Sequence, residues 1–383
     1  MKMKAVVKTK AGPGAEFMEV DIPKIGPKEV LVKVKATSIC GTDVHIYQWD
    51  KWSNSRIGEK KLPQILGHEV AGEVVEIGKE VKRIKVGDYV SAETHIYNPW
   101  DLQSLLCQAH LGENMEILGV DRDGTFAEYI ALPENVCWVN HPSIPPEIAT
   151  LQEPIGNATY AVLGEDNDVA GKSMVIIGDG PAGLFSVGIA RLCGVTNIFL
   201  IGEWDYNLFI GKIMGADHII NIHKNDVDRV EYVKEHTNGY GADIVLDMAG
   251  APQAIKEGLK MLRRGGRFTA FGLSPSSTID VDYNEEIVLK GIQVHGITGR
   301  KLFDTWYRVR NFLSSGRLNV YPIITHMFPL EEFQKGFDAI LERPRKCVKI
   351  VLFPNREELK RAQERLEKQR NVEDRIQKVK CEG

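Results

Sequence analysis

The feature that most constrains the fold is a glycine-rich turn between an apolar strand and a helical run. Residues 173–177, Ser-Met-Val-Ile-Ile, are followed at once by Gly178, Gly180 and Gly183 in a GxGxxG pattern. A short apolar run without alternation is typical of a strand buried on both faces of a parallel sheet. The three glycines allow a tight turn, close approach of a pyrophosphate and close helix–strand packing. This pattern predicts a doubly wound α/β domain that binds a dinucleotide at a helix N-terminus.

The residues after the next strand favour NAD over NADP. Glu203 follows Gly183 by twenty residues, near the position from which an acidic residue holds the adenosine ribose. No Arg or Lys lies between Gly202 and Ile210 to receive a 2′-phosphate. NAD is therefore the predicted cofactor, and NADP is the alternative.

A second constraint lies nearer the N-terminus, in Cys40-Gly41-Thr42-Asp43-Val44-His45 and Gly67-His68-Glu69. A thiolate, an imidazole and a carboxylate are the ligand types of a catalytic zinc that keeps one position open. The alternative is a buried Cys and His that only pack or form hydrogen bonds. Because a dinucleotide motif follows in the same chain, we favour the metal.

These motifs together resemble the zinc-containing medium-chain dehydrogenases, and residues 37–47 are most similar to the L-threonine 3-dehydrogenases in that family. The resemblance covers about residues 4–353. It implies an α/β chain with a GroES-like β-rich catalytic domain and a doubly wound parallel-sheet Rossmann domain. The implied bounds are 1–157 and 299–353 for the catalytic domain, 158–298 for the NAD-binding domain and 354–383 for a charged helical tail.

The resemblance also implies roles for individual residues. Cys40, His68 and Glu153 would hold the zinc, with Glu69 as an additional or alternating ligand. Thr42 and His45 would carry the released proton outward, and Asp43 would orient His68. His95 would border the substrate pocket. A solvated first-turn carboxylate is the alternative for Glu153, and a structural histidine is the alternative for His95.

On the dinucleotide side, the implied contacts are Gly178, Gly180, Pro181, Ala182, Gly183, Glu203, Phe271, Gly272, Leu273, Ile297 and Thr298. Aligned on the family pattern, the usual acidic ribose position falls on Gly202, one residue before Glu203. A basic residue common in the family falls on Asn207. The resemblance therefore implies a ribose contact that departs from the family's normal one.

The segment 97–118 departs from the family pattern more strongly than the ribose position does. Relatives carry a lobe here in which four cysteines hold a structural zinc. Those positions fall on Asn98, Asp101, Ser104 and Gly112, and Cys107 is out of register. We therefore expect one catalytic zinc per chain and no structural zinc. We interpret the apolar residues as packing that replaces it: Trp100, Leu102, Leu105, Leu106 and Leu111. An oxygen-liganded ion at Asp101 is the alternative.

Composition sets the remaining expectations. The 383 residues carry a net charge of −4, which gives no reason to expect nucleic acid as a partner, and no apolar run reaches membrane-spanning length. We expect a cytoplasmic protein acting on a small-molecule alcohol, and a homo-oligomer, tetrameric by resemblance. In the tail, Leu359, Ala362 and Leu366 form a narrow apolar stripe.

The predicted reaction is NAD-linked oxidation of a secondary alcohol, and L-threonine, oxidised to 2-amino-3-oxobutanoate, is the favoured substrate. A polyol, sugar acid or inositol-type cyclitol is the alternative within this class. A non-catalytic nucleotide-binding redox sensor is the alternative from another class. It predicts damage at Cys40, Thr42, His45 or His68, and each of these residues retains its functional group.

Overall fold

The computed structural model describes residues 1–165, 167–224, 227–276 and 278–381. The chain forms two compact units. The first contains Met1–Glu153, Ile324–Leu341 and Lys349–Gly383, and the second contains Pro154–Ile323 and Glu342–Val348. The predicted domain bounds divide the chain differently and stay a prediction. Within the described ranges, no helix combines the length and apolarity needed to cross a membrane.

The strands are β1 (Lys2–Lys8), β2 (Glu16–Asp21), β3 (Glu29–Ile39), β4 (Gln64–Ile65), β5 (Glu69–Ile77), β6 (Tyr89–Ala92), β7 (His95–Ile96), β8 (Glu116–Ile117), β9 (Tyr129–Pro133), β10 (Cys137–Val139), β11 (Ser173–Ile177), β12 (Asn197–Gly202), β13 (His218–Asn221), β14 (Ala242–Asp247), β15 (Leu262–Ala270), β16 (Gln293–Gly296), β17 (Ile324–Pro329) and β18 (Lys349–Phe353).

The α-helices are α1 (Gly41–Gln48), α2 (Lys51–Arg56), α3 (Leu102–Leu105), α4 (Pro146–Ala149), α5 (Gln152–Leu163), α6 (Pro181–Leu192), α7 (Asp205–Met214), α8 (Arg229–Glu235), α9 (Pro252–Met261), α10 (Asp304–Ser314), α11 (Phe333–Leu341) and α12 (Arg356–Cys381).

The first unit is built on a seven-stranded sheet. Its strand order is β10-β6-β5-β3-β18-β17, with β9 also paired to β3, and a smaller sheet has the order β2-β1-β4. Val30, Val32 and Val34 alternate along β3 and are all buried, which is the period expected of a strand with one face in a core. The predicted GroES-like β-rich domain is confirmed. Because β18 pairs antiparallel with β3, placing Ile350 opposite Ile39, the start of β18 lies beside the loop that begins at Cys40.

The second unit contains a six-stranded parallel sheet in the order β13-β12-β11-β14-β15-β16. The predicted apolar strand is β11, and its residues Met174, Val175 and Ile176 have no exposed surface. The chain passes from β11 to β12 on one side and later to β14 on the other side. That reversal marks the place where doubly wound sheets bind ligands, at the carboxyl ends of the strands. The predicted doubly wound fold is confirmed.

The apolar packing predicted for residues 100–111 is wrong. Its five members are exposed, with Trp100 at 80% and Leu102 at 65%. Polar contacts order this segment instead. Asn98 Nδ2 donates to Asp101 Oδ1 (3.0 Å), Ser104 Oγ donates to the Asn98 carbonyl (2.7 Å), and Asp101 Oδ2 accepts from the backbone of Asn114 (3.2 Å).

The same contacts involve the four positions at which relatives carry zinc-binding cysteines. Three of them, Asn98, Asp101 and Ser104, hydrogen-bond among themselves, and a Cβ at Gly112 would lie 3.2 Å from Asp101 Oδ2. The four positions thus lie close together. Hydrogen bonds join Asn98, Asp101 and Ser104, and both Asp101 carboxylate oxygens accept hydrogen bonds from this segment.

The tail forms helix α12, which packs on the rest of the first unit. Leu359, Ala362 and Leu366 are buried, so the predicted stripe is the packed face. Arg365 donates two hydrogen bonds to Glu147 of α4, from Nε to Oε1 (2.7 Å) and from Nη2 to Oε2 (2.8 Å). The Glu147 side chain has no exposed surface, and the Arg365 side chain is 34% exposed. A bidentate pair of this kind fixes both the position and the register of the helix.

We expect Arg365→Met to lower the free energy of unfolding by about 2 kcal/mol, because it leaves the buried Glu147 carboxylate without its charged donor. Urea denaturation followed by circular dichroism measures the change. Arg361→Met on the same helix is the matched control, since the Arg361 side chain is 63% exposed and its pair with Glu358 is long, at 3.9 Å. Equal effects of the two substitutions would contradict a docking role for the Arg365–Glu147 pair.

Candidate active site

Asp43 organises the loops that carry the predicted metal ligands. Cys40 follows β3 and is the N-cap of α1, and Asp43 lies three residues later in the first helical turn. The Asp43 carboxylate accepts a hydrogen bond from Cys40 N at Oδ2 (2.8 Å) and from Gly67 N at Oδ1 (3.2 Å). Since Asp43 is fully buried, these bonds hold the Cys40 loop against the loop that delivers His68.

Cys40, His68 and Glu69 converge. One potential ligand atom from each residue lies within 4.8 Å of the others, and in the described part of the chain this is the group of acidic, His and Cys side chains that could hold a metal. His68 Nδ1 lies 3.4 Å from Asp43 Oδ1. A carboxylate behind one ring nitrogen sets the tautomer and directs the other nitrogen to a metal. The donor set of sulfur, nitrogen and oxygen fits zinc.

The electrostatics of the site favour a cation. Burial by itself lowers the pKa of the His68 imidazole, but the negative charges of Asp43 and Cys40 outweigh it and hold that pKa well above its ordinary value. The surroundings therefore stabilise positive charge at the ring. A metal cation satisfies the same field, which is a second reason why these residues fit zinc.

Glu69 is held by a buried cation that sequence reasoning missed. Lys349 Nζ, from the start of β18, lies 2.7 Å from the Glu69 carboxylate and donates to the Ile39 carbonyl at 3.0 Å. The Ser38 hydroxyl donates to Oε2 of the same carboxylate. Neither charged side chain is more than 1% exposed. The one signal in the sequence is a lysine inside the apolar run Val348–Phe353.

Burial and neighbouring charge act together on this pair. Burial raises the pKa of Glu69, Lys349 opposes that rise, and the nearby charge of Glu153 adds to it. Burial lowers the pKa of Lys349, but the Glu69 carboxylate outweighs it, and the net pKa lies above its ordinary value. A single cation thus serves two buried carboxylates, because the charge of Glu153 also acts on Lys349.

The other predicted site residues of the first unit lie outside this three-residue group. Glu153 is 4% exposed near the start of α5 and lies outside the three-residue cluster. Thr42 and His45 are one turn apart on α1, so their side chains share a helix face. His45 is exposed, and its Nδ1 lies 2.6 Å from Asp50 Oδ2. His95, at the start of β7, pairs through Nδ1 with the buried Glu93 (3.1 Å).

The glycine-rich turn of the second unit has the geometry of a phosphate cradle. Gly178 has φ +121°, and its N–H donates to the Ile201 carbonyl of β12 (2.8 Å). A Cβ on Gly183 would lie 1.9 Å from the Gly178 oxygen, so only glycine permits this contact. A Cβ on Gly180 would meet nothing within 4 Å, which leaves open space over the N-terminus of α6. Pro181 and Ala182 begin that helix. The residues present fit a dinucleotide pyrophosphate.

The remaining predicted cofactor contacts follow the carboxyl ends of β15 and β16. Phe271 N and Gly272 N donate to the Asp247 carbonyl (3.1 and 2.9 Å), and Ile297 N donates to the Ala270 carbonyl (2.9 Å). A Cβ on Gly272 would lie 2.2 Å from Gly250 N, so two loops of the sheet edge touch at that glycine. The neighbouring Leu273 and Thr298 are exposed. These residues share the strand-end edge with Gly178 and Glu203.

Comparison with known proteins gives consistent similarities. Residues 26–143 match the alcohol dehydrogenase GroES-like domain, and residues 181–315 match the zinc-binding dehydrogenase domain. An L-threonine 3-dehydrogenase from Caldanaerobacter subterraneus subsp. tengcongensis is 48% identical over 353 residues, which are 92% of this chain and 99% of that relative.

Two solved structures of dehydrogenases are also similar to this chain. The structure of 2R,3R-butanediol dehydrogenase from Bacillus subtilis covers 92% of this chain and 100% of its own, with a TM-score of 0.83 and 27% identity. A zinc-binding dehydrogenase from Sinorhizobium meliloti, solved bound to NADP, also covers 92% of this chain and 100% of its own, with a TM-score of 0.82 and 26% identity.

Proposed function

Since the chain belongs to the zinc-containing medium-chain alcohol dehydrogenases, we propose that it oxidises the β-hydroxyl of L-threonine to 2-amino-3-oxobutanoate with NAD as the hydride acceptor. The observation that carries the proposal is the convergence of a thiol, an imidazole and a carboxylate at Cys40, His68 and Glu69. The 48% identity to an L-threonine 3-dehydrogenase supports this choice of substrate.

We propose Cys40, His68 and Glu153 as the zinc ligands. Glu69 is the additional or alternating ligand, because Lys349 and Ser38 already engage its carboxylate. Bound there, zinc would act as a Lewis acid toward the alcohol oxygen and lower the pKa of that hydroxyl. Asp43 holds the His68 ring in the orientation that ligation requires.

The chain's own residues then handle the proton. Thr42 accepts it from the substrate hydroxyl, and His45 passes it to solvent. The exposure of His45 and its hydrogen bond to Asp50 support that exit, since an imidazole supported by a carboxylate can release a proton to water. His95 is proposed to border the bound alcohol, with Glu93 fixing its ring.

NAD is the proposed cofactor, held by the turn Gly178–Gly183 and by the strand-end residues Glu203, Phe271, Gly272, Leu273, Ile297 and Thr298. Bound there, NAD would supply the hydride acceptor for the reaction. The same proposal takes residues 1–157 and 299–353 as the catalytic domain and 158–298 as the NAD-binding domain. A cytoplasmic homo-oligomer, tetrameric by resemblance to the family, is part of it, and sedimentation velocity would test that state.

A polyol, sugar acid or cyclitol is the second candidate substrate, and the structural similarity to a butanediol dehydrogenase favours keeping it. NADH production by zinc-loaded protein over L-threonine, L-serine, 2,3-butanediol, sorbitol, myo-inositol and a sugar acid separates the two. We expect the highest kcat/KM with L-threonine. A diol or cyclitol with the highest kcat/KM would reject L-threonine and retain the alcohol dehydrogenase. The redox-sensor alternative predicts no turnover with any of them.

A further inference from the structure

A buried carboxylate lies inside the glycine-rich turn. Asp179, between Gly178 and Gly180, is 7% exposed. Its Oδ2 accepts hydrogen bonds from Glu203 N (3.1 Å) and Trp204 N (2.7 Å), the first two residues after β12. Asn207 Nδ2 donates to the Asp179 carbonyl (2.9 Å). Two hydrogen bonds therefore tie Asp179 to the residues that follow β12, and a third ties it to α7.

This carboxylate occupies the space that a side chain at position 202 would need. A Cβ built on Gly202 would lie 2.5 Å from both Cβ and Cγ of Asp179 and 2.8 Å from its Oδ2. The end of this strand is the place from which doubly wound domains present an acidic residue to the adenosine ribose. The carboxyl group of Asp179 thus stands about one to two bond lengths from where an acidic residue at 202 would begin.

We propose that Asp179 supplies the carboxylate that binds the adenosine ribose hydroxyls, in place of an acidic residue at the end of β12, and that it selects NAD against NADP. Both backbone amides bond to Oδ2, and Oδ1 is the oxygen offered to the ribose. The inference rests on the proposed function, because it requires that a nicotinamide dinucleotide bind at this turn.

The neighbouring Glu203 is less suited to the task. Its side chain is 46% exposed, and its Oε1 lies 3.2 Å from His223 Nε2. Asp179 is fixed by backbone donors, whereas the longer Glu203 side chain is half in solvent. Burial raises the pKa of Asp179, and the Glu203 charge adds to that rise, so hydroxyl donors from a bound ribose would stabilise the ionised carboxylate.

Two arginines near Asp179 bear on the choice between NAD and NADP. Arg343 lies over the Trp204 ring (5.4 Å from Cζ to the centroid), and the charges of both Asp179 and Glu203 act on Arg345. The stretch Gly202–Ile210 has no basic residue, but folding brings these two to the same corner from elsewhere in the second unit. A 2′-phosphate would find cations here, so a carboxylate is needed to reject it. Removing the Asp179 charge should admit NADPH.

The test is direct titration of NADH and NADPH by fluorescence, with no alcohol substrate present. Asp179→Asn keeps an oxygen for Glu203 N and Trp204 N and removes the charge. We expect it to weaken NADH binding by about 10-fold or more and to improve NADPH binding, which reduces the NADH preference on the order of 100-fold. Asp205→Asn is the matched control. It removes a carboxylate that bonds to Lys224 and Asn221 in the same corner, and we expect both affinities to stay within about 2-fold.

A relocation variant guards against simple misfolding. Asp179→Ala alone should lose NADH affinity, and Asp179→Ala combined with Gly202→Asp should regain most of it, because the acid returns to the strand end and the crowding at 202 is gone. Gly202→Asp alone should bind poorly, since its Cβ meets Asp179. Thermal unfolding of each variant checks the fold.

The outcomes separate a failure of the Asp179 inference from a failure of the proposed function. If Glu203→Gln shows the larger NADH loss and Asp179→Asn binds like wild type, Asp179 is not the ribose acid. If wild type prefers NADPH, the selection argument is overturned as well. Wild type that binds NADH through Asp179 but reduces no NAD with L-threonine would reject the proposed substrate and leave this inference standing. Wild type that binds neither dinucleotide would overturn both.

Discussion

Cys40→Ser is expected to reduce NADH production from L-threonine by roughly a thousandfold or more and to strip the protein of zinc. The alkoxide of serine is far less accessible at neutral pH than a thiolate, so one of the three proposed ligands is lost. A Lewis acid contributes several kcal/mol to stabilising charge on the reacting oxygen, and each 1.4 kcal/mol is about tenfold in rate. Loss of the metal therefore removes most of the rate.

Three measurements on one sample make the Cys40 result specific. They are zinc per chain by atomic absorption, NADH production, and NADH binding by fluorescence. Binding should stay close to wild type, because the proposed cofactor contacts belong to the second unit and Cys40 belongs to the first. Cys107→Ser, an exposed thiol of the first unit, is the control and should change none of the three. Retention of zinc and of most activity in Cys40→Ser would reject Cys40 as a ligand.

Lys349→Met is expected to destabilise the protein by about 3–5 kcal/mol, because it leaves the Glu69 carboxylate buried without a cation. The ion pair has no solvent to compensate for a lost partner, since neither side chain is more than 1% exposed. The variant should also bind zinc more tightly once folded, because an uncompensated Glu69 becomes a better metal ligand. Urea denaturation of the metal-free protein and competition with a zinc chelator measure the two effects separately.

Two further variants test whether the effect belongs to the pair. Glu69→Gln combined with Lys349→Met removes both charges and should recover a large part of the stability, since the cost arises from one unpaired charge. Lys335→Met on α11 removes a lysine from an exposed pair with Glu332 and should stay within about 0.5 kcal/mol of wild type. A Lys349→Met protein with unchanged stability and unchanged zinc affinity would contradict both roles assigned to Lys349.

The parts of the fold that follow from local pattern were predictable. The apolar strand and glycine spacing at 173–183 dictate a βα turn, because the positive φ of Gly178 and the contact at Gly183 exclude other residues. The alternation of Val30, Val32 and Val34 likewise predicts a strand with one buried face. Cys40, His68 and Glu69 could be grouped from their residue types, although no spacing rule states that their atoms would meet within 4.8 Å.

The site features that the sequence did not predict depend on contacts between distant parts of the chain. Lys349 is 280 residues from Glu69 and reaches it only because β18 pairs with β3. Arg343 and Arg345 also come from far along the chain, so the sequence of residues 202–210 gives no sign of them. The ribose role proposed for Asp179 rests on the space beside Gly202, which the Asp179 side chain fills in the folded chain.

The prediction of apolar packing for residues 100–111 was wrong for a different reason. Their hydrophobicity suggested a packed substitute for a metal, but burial needs a surface to pack against, and this segment presents them to solvent. Hydrogen bonds among Asn98, Asp101 and Ser104 join the same positions instead. A count of apolar residues cannot distinguish buried from exposed side chains, because the direction of each side chain depends on the backbone path.

The most direct test of the central claim is hydride transfer from L-threonine carrying deuterium at C3. Zinc-loaded protein is mixed with NAD and the labelled amino acid, and the NADH is analysed by mass spectrometry, with Cys40→Ser as the blank. We predict deuterium in the NADH at near one atom per molecule, matched by formation of the 3-keto product. Unlabelled NADH, or no NADH from L-threonine while a polyol is oxidised, would contradict the account.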